Sequence, residues 1–100
     1  MSYSFVNSPS VAADITNAIE YYKKINPELA KQFLLRLREA KSYISLVPLG
    51  FQVKYKGVRT LLLKQFPYHI HYIINEEKQQ IIILAIIHAY KNPHDYAIRE

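Results

Sequence analysis

Two side chains in the apolar segments of this 100-residue chain have a chemistry that is easy to name. Arg59 lies in the run 57–74, and its guanidinium can bind two oxygens of one phosphate group. His88 ends a second apolar run, and its imidazole titrates near neutral pH, so it can serve as an acid or a base. Each residue also has an ordinary structural alternative: a salt bridge for Arg59, and a hydrogen-bonded strand end for His88.

Positive charge is concentrated in the middle of the sequence. The segment 40–75 contains five basic residues and no acidic one, and these five account for the net charge of +5. A surface of one sign attracts phosphate or an acidic protein partner. The residues that we predict to bind such a group are Lys54, Lys56, Arg59, Lys64, Lys91 and Arg99. The alternative is a solvated strand face that happens to carry lysines.

Two histidines, His69 and His71, alternate with apolar residues and therefore share one face of a strand. A pair with this spacing can bind a metal ion. The chain contains no cysteine, and no suitably placed carboxylate completes a ligand set. We therefore predict no metal site and no cofactor, and the lack of cysteine also excludes disulfides and thiol nucleophiles.

Several classes of protein are disfavoured by length and composition. A chain of 100 residues suits one domain, residues 1–100. No apolar run is long enough to span a bilayer, and the first residues lack the basic and hydrophobic regions of a signal peptide. The sequence therefore predicts a cytoplasmic protein that does not act in a membrane.

Hydrophobic periodicity predicts an α+β domain. Residues 3–7 alternate as a short strand, and Ser8 or Ser10 is expected to cap a helix that ends near residue 25. Pro27 then suits the first turn of a second helix, so that the two form an antiparallel hairpin. The apolar stripe of the second helix is Leu29, Phe33, Leu37, Ala40, Ile44 and Val47.

After Gly50 the period changes to two, which predicts strands. The predicted strands lie within 51–56, 58–66, 68–74 and 81–87. Their short links predict an antiparallel sheet of three or four strands. We expect residues 82, 84, 86 and 88 to share one face. Every position of 81–87 is apolar, so both faces need cover, and a partner protein is a better cover than the polar residues 91–100.

Three segments together resemble the RelE/ParE superfamily of toxins from type II toxin–antitoxin modules. They are AIEYYKKINPELAKQFLLRL (18–37), GVRTLLLKQFPYHIHYII (57–74) and IIILAIIHAYKNP (81–93). The resemblance implies a helical hairpin packed on a small twisted antiparallel sheet. It also implies a growth inhibitor that a cognate antitoxin neutralises. A homodimer and a toxin–antitoxin hetero-oligomer are both compatible with it.

The superfamily contains more than one activity. ParE-like members poison DNA gyrase, whereas RelE-like members cut mRNA on the ribosome. The YY…NP pattern of residues 21–27 and the H…P ending of 88–93 are closer to the ParE-like branch. If the chain is instead a nuclease, Arg59 is a candidate catalytic residue by its chemistry, and the resemblance adds His88 and Tyr90. A non-toxic member that only binds an antitoxin is the third alternative.

Overall fold

The computed structural model describes residues 3–90, which form two helices and five strands. The first three elements are β1 (Ser4–Asn7), α1 (Ser10–Ile25) and α2 (Pro27–Leu46). The other four are β2 (Val53–Tyr55), β3 (Val58–Leu62), β4 (Tyr68–Asn75) and β5 (Gln80–His88). The predicted α+β fold, with a first strand, a helical hairpin and an antiparallel sheet, is confirmed. None of the helices within residues 3–90 is long and apolar enough to cross a membrane.

All five strands form one sheet in the order β1-β5-β4-β3-β2. The four strands after the hairpin are antiparallel neighbours, as their short connections require. The first strand pairs with β5 in parallel and lies at the edge of the sheet. The prediction of three or four strands covered only the part of the chain after the hairpin. The sheet has five strands because β1, which precedes the hairpin, also pairs with β5.

The second helix begins with a cap that follows from its sequence. The side-chain oxygen of Asn26 accepts a hydrogen bond of 3.0 Å from the backbone N–H of Glu28, and Pro27 occupies the first turn. Four residues of the predicted stripe are buried: Phe33, Leu37, Ala40 and Ile44. Val47 is 53% exposed, since α2 ends one residue earlier, at Leu46.

The start of α1 differs from the prediction of a serine cap. Pro9 holds the N-cap position, and no side chain caps this helix. The hydroxyl of Ser10 donates instead to the carbonyl of Leu84, at 3.1 Å. Ser10 therefore bonds a strand of the sheet that lies 74 residues away in the sequence.

The helices cover one face of the sheet. Their buried residues join a single core with the inward side chains of β4 and β5, among them Ile70, Tyr72 and Ile81. A second, smaller cluster on the other face combines Ala85 and Ile87 with the partly buried Tyr55. The prediction that β5 carries apolar side chains on both faces is therefore confirmed.

The link between β2 and β3 is a tight turn at Lys56 and Gly57, both with positive φ. At Gly57 φ is +76°, and a Cβ added there would meet no atom within 4 Å. We expect Gly57→Ala to lower the free energy of unfolding by about 1–2 kcal/mol through backbone strain alone. Chemical denaturation measures this change. Gly57→Asn should cost less, because asparagine tolerates this conformation, and equal losses for both variants would contradict the assignment.

Candidate functional site

A β-bulge in β5 decides which way its last residues face. Tyr72 pairs with Ile83 and His71 pairs with Ala85, so Leu84 is an extra residue in β5. Ile86 consequently faces the helices with Ile83, whereas Ile82 pairs with Ile73 on the other face. The prediction that 82, 84, 86 and 88 share one face is therefore wrong, because the bulge shifts the alternation of the strand.

The first turns of α1 satisfy the backbone of this bulge. Ser10 donates to the carbonyl of Leu84, and a carboxylate oxygen of Asp14, Oδ2, accepts from the N–H of Ile86 at 3.0 Å. The backbone N–H of Ser8 donates to the carbonyl of Ile83 at 2.8 Å. These three bonds hold the bulge in place, and the bulge turns the end of β5, with His88, toward α1.

We expect Asp14→Ala to destabilise the protein by about 1–3 kcal/mol, because it leaves the buried N–H of Ile86 without this acceptor. Hydrogen exchange at the Ile86 amide should become faster. In Asp14→Asn the amide oxygen can still accept this bond, so its exchange should stay close to that of the wild type. Unchanged Ile86 exchange in Asp14→Ala would show that the carboxylate does not hold the bulge.

The end of β5 forms an aromatic cluster around His88. The ring of His88 lies 5.3 Å from that of Tyr68 and 5.4 Å from that of Tyr90, measured between ring centroids. The backbone N–H of Tyr90 also donates to Nδ1 of His88, at 3.3 Å. His88 and Tyr68 line an open recess of about 220 Å³, which Asp14, Asn17 and Tyr21 of α1 also line. His88 and Tyr90, two of the candidate catalytic residues, therefore lie together.

Arg59, the third candidate, lies elsewhere and holds a loop. Its Nη1 donates to the carbonyls of Phe51 at 2.6 Å and Leu49 at 3.2 Å, in the connection between α2 and β2. The hydroxyl of Tyr72, which pairs with Arg59 across the sheet, donates to the carbonyl of Pro48 at 2.8 Å. Both side chains therefore fasten the segment that ends the helical hairpin to the sheet.

Tyr72 gives this loop attachment a dependence on alkaline pH. Its side chain is fully buried, and burial raises its pKa to about 12, while the charge of Arg59 acts in the opposite direction. Because the folded-state pKa lies above the ordinary value, the unfolded chain ionises first, and stability falls as the pH rises from about 10 to 12. We expect this group to account for a loss of about 2–3 kcal/mol over that window. Tyr72→Phe should show a flatter decline in pH-dependent denaturation, and equal slopes would contradict the assignment.

The register of the sheet separates Arg59 from His88. Arg59 pairs with Tyr72 on one side of β4, and His88 pairs with Tyr68 on the other. Their backbones are therefore about 13 Å apart along β4 and about 10 Å apart across it. Arg59 is also directed to the loop carbonyls, so one phosphate group could not contact both residues in this arrangement.

The other predicted cations are distributed over several surfaces. Lys64 Nζ lies 3.9 Å from a carboxylate oxygen of Glu39 on α2. Lys54 lies near His69, and Lys56 occupies the turn between β2 and β3. Lys91 and Arg99 lie outside the described residues. That these cations bind a phosphate or an acidic partner stays a prediction.

The two adjacent histidines are held by different surroundings. Nδ1 of the buried His71 lies 3.1 Å from the hydroxyl of Tyr55, at hydrogen-bonding distance. Burial, and then the nearby charge of Lys54, lower the pKa of His69. Within residues 3–90, no group of three or more histidine, aspartate or glutamate side chains is arranged to hold a metal ion.

An apolar groove of about 660 Å³ runs between α2 and the edge strand β1. Phe5 forms one wall, and Leu34, Leu37 and Leu46 of α2 form the other. Two of these side chains are well exposed, Leu34 at 41% and Leu46 at 76%. The groove carries positive charge from Arg38 and Lys41, with Lys41 Nζ 4.9 Å from the centre of the Phe5 ring. An amphipathic segment with acidic residues suits this combination.

The comparison with protein families assigns the chain. The family model described as "ParE toxin of type II toxin-antitoxin system, parDE" matches residues 6–93, which is most of the sequence. The chain belongs to the ParE toxin family. The comparison with curated proteins gives no match.

Three solved structures share the fold of this chain, and one of them belongs to a ParDE system. A chain of the chromosomal ParDE toxin–antitoxin system from P. aeruginosa is 26% identical, with a TM-score of 0.73, over 86% of this chain and 95% of that chain. The RelBE2 toxin–antitoxin complex from Mycobacterium tuberculosis contains a similar fold at 17% identity and a TM-score of 0.56, over 88% and 99% of the two chains. A free mutant of the E. coli toxin RelE is similar in fold at 14% identity and a TM-score of 0.62, over 99% and 97%.

Two features of this ParE family member were missed in the sequence. Arg38 and Lys41 were not among the predicted binding residues, although their spacing places them on one stretch of helix surface with the apolar Leu34. The position of Asp14 and Asn17 beside His88 could not be predicted from the sequence, because only the fold brings them together. The alternation of exposed leucine and basic residues in α2 could have revealed the groove.

Proposed function

We propose that this chain is the toxin of a type II toxin–antitoxin module and inhibits growth by acting on DNA gyrase. The choice of gyrase over RNA as the target is supported by the separation of Arg59 from His88. Arg59 is bonded instead to the carbonyls of Leu49 and Phe51. Cleavage of RNA needs a cation and an acid–base pair at one phosphate. A toxin that acts by binding has no such requirement, and membership in the ParE family supports this mode of action.

The groove between α2 and β1 is the proposed site of the cognate antitoxin. It offers apolar walls, the outer edge of β1, which pairs with no other strand among residues 3–90, and the positive charges of Arg38 and Lys41. An amphipathic helix or an added strand with acidic residues would bury Leu34 and Leu46 and neutralise both charges. Two of the similar structures are a toxin–antitoxin system and a toxin–antitoxin complex, which supports a partner of this kind. A toxin–antitoxin hetero-oligomer is therefore the proposed assembly.

A ribosome-dependent mRNA endoribonuclease is the second candidate, and the pairing of His88 with Tyr90 favours it. Tyr90 is 85% exposed and its ring packs against the imidazole, so both could reach an RNA strand. In this alternative His88 and Tyr90 supply the acid–base chemistry, and Lys54, Lys56 and Lys64 attract the phosphates. Arg59 would have to leave its loop carbonyls to take part.

Induced expression of His88→Ala in bacteria separates the two candidates. Under the gyrase proposal the variant should arrest growth as the wild type does, with continued protein synthesis, filamentation and a DNA-damage response. Loss of toxicity in a variant that folds normally, with the wild type producing new cuts inside coding regions, would favour the nuclease. Normal growth with soluble wild-type protein would leave only a non-toxic antitoxin-binding role.

A further inference from the structure

Arg59 is held through only one of its three guanidinium nitrogens. Both hydrogen bonds that fix the side chain leave from Nη1, which donates to the carbonyls of Phe51 and Leu49. The N–H donors on Nε and Nη2 remain, and they lie in one rigid plane with Nη1. Within residues 3–90 they have no acceptor, and no carboxylate forms an ion pair with Arg59. The guanidinium is therefore oriented by neutral groups, and its charge has no counter-ion in that part of the chain.

The loop that orients Arg59 is itself fixed to the core. The hydroxyl of the buried Tyr72 donates to the carbonyl of Pro48 at 2.8 Å. One turn closes the same loop, because the backbone N–H of Gly50 donates to the carbonyl of Val47 at 2.9 Å. An arginine side chain that is already ordered loses little conformational entropy when it binds a further group. The free edge of the Arg59 guanidinium is therefore a preorganised pair of donors.

Exposed apolar side chains lie beside Arg59. Leu49, whose carbonyl accepts one of its bonds, is 53% exposed. Val53 pairs with Arg59 between β2 and β3, so both side chains leave the sheet on the same face, and Val53 is 44% exposed. An arginine among apolar neighbours that can exclude water is typical of the centre of a protein–protein interface. Surfaces that bind nucleic acid are more polar and carry more positive charge.

We propose that Arg59 binds the carboxylate of an aspartate or glutamate that a protein partner presents beside an apolar residue. Nε and Nη2 can donate two parallel hydrogen bonds to the two carboxylate oxygens, while the apolar residue contacts Leu49 and Val53. The segment 40–75 contains no acidic residue, so the charge around the site attracts the carboxylate. Arg59 does not line the groove between α2 and β1, so this is a second contact surface. The inference does not depend on whether gyrase or the ribosome is the target.

The test is an NMR titration of the purified full-length chain with the acetylated and amidated tripeptide Leu-Asp-Leu at low salt. We expect a saturable shift of the Nε–H signal of Arg59. The tripeptide Leu-Asn-Leu should bind about tenfold more weakly, because its neutral amide loses the charge-assisted pair of bonds. Inorganic phosphate should also bind more weakly than Leu-Asp-Leu, because it makes no contact with the apolar side chains.

Three variants separate the parts of the proposed site. Arg59→Lys keeps the charge but removes the planar fork, and it should weaken binding of Leu-Asp-Leu about tenfold. Arg36→Lys is the matched control and should bind as the wild type does, because Arg36 already pairs with Glu39. Leu49→Ser keeps the carbonyl that Arg59 binds and should weaken binding about threefold through the lost apolar contact. An unchanged Arg59 Nε–H signal in the free Leu49→Ser variant shows that the loop is intact.

Three results would overturn the proposal. One is equal binding of the aspartate and asparagine tripeptides, which would show that the carboxylate is not recognised. Another is tighter binding of inorganic phosphate than of Leu-Asp-Leu at Arg59, which would point to a nucleic-acid backbone. The third is the same loss of binding in Arg36→Lys as in Arg59→Lys, which would leave no specific role for Arg59. Growth arrest by the wild type is a separate measurement and fails or succeeds independently of these results.

Discussion

Replacing Arg38 and Lys41 together by glutamate is expected to weaken the binding of the cognate antitoxin about 100-fold at low salt. Both residues line the groove between α2 and β1, where the proposed antitoxin segment brings acidic side chains. Each reversal turns an attraction into a repulsion, and a loss of about 1.4 kcal/mol per position corresponds to a factor of ten. Isothermal titration calorimetry of the purified toxin and its variants with the antitoxin measures the effect.

The matched control for this experiment is the double reversal of Lys23 and Lys24 in the last turn of α1. The net charge changes equally, but neither residue lines the groove. The control should retain nearly all of the affinity, and the effect of Arg38→Glu with Lys41→Glu should shrink as salt is raised. Equal losses in the two double variants would mean that only the overall charge matters. An affinity that both leave unchanged would place the antitoxin elsewhere.

The second large effect is expected from the core. Phe33 is fully buried on α2, and its ring contacts those of Tyr22, Phe66 and Tyr68 at centroid distances of 5.3 to 5.8 Å. We expect Phe33→Ala to lower the free energy of unfolding by about 3–5 kcal/mol, since it removes a large ring and leaves a cavity. A domain of this size has only about 5–15 kcal/mol in total, so the variant should be close to unfolding at 37 °C.

Leu35→Ala is the control for the loss of Phe33. Leu35 lies two residues away on the same helix but is 54% exposed, so its truncation should cost less than about 1 kcal/mol. Urea denaturation followed by circular dichroism compares the two variants with the wild type. If Phe33→Ala were no less stable than Leu35→Ala, the ring cluster at the base of the hairpin would not be part of the core.

The elements that sequence reasoning predicted well are those whose pattern is local. The apolar stripe of α2 follows from helical spacing. The position of Pro27 in the first turn of α2 follows from the fixed φ of proline. The strands also appear where the period is two, although the structure trims them. The predicted strand 58–66, for example, ends at Leu62, and the chain reaches the left-handed region at Gln65.

The features that could not be predicted depend on contacts between distant parts of the chain. The bulge at Leu84 is held by Ser10 and Asp14, which lie more than 70 residues earlier. A serine or an aspartate in the sequence does not indicate such a long-range bond. The side of the sheet on which His88 lies could therefore not be derived from alternation in β5. Arg59 likewise finds its acceptors in a loop. Its guanidinium can bind either a phosphate or a pair of carbonyls, and only the fold distinguishes them.

We propose that this ParE family member acts on DNA gyrase and needs no RNA-cleaving site. The most direct test adds the purified chain to DNA gyrase, ATP and relaxed plasmid, and in parallel to ribosomes that carry a defined mRNA. We predict that supercoiling is inhibited, that cleaved plasmid accumulates, and that the mRNA stays intact. The antitoxin should relieve the inhibition. Full supercoiling activity together with mRNA cut on the ribosome would contradict the gyrase proposal and make Arg59, His88 and Tyr90 the catalytic candidates.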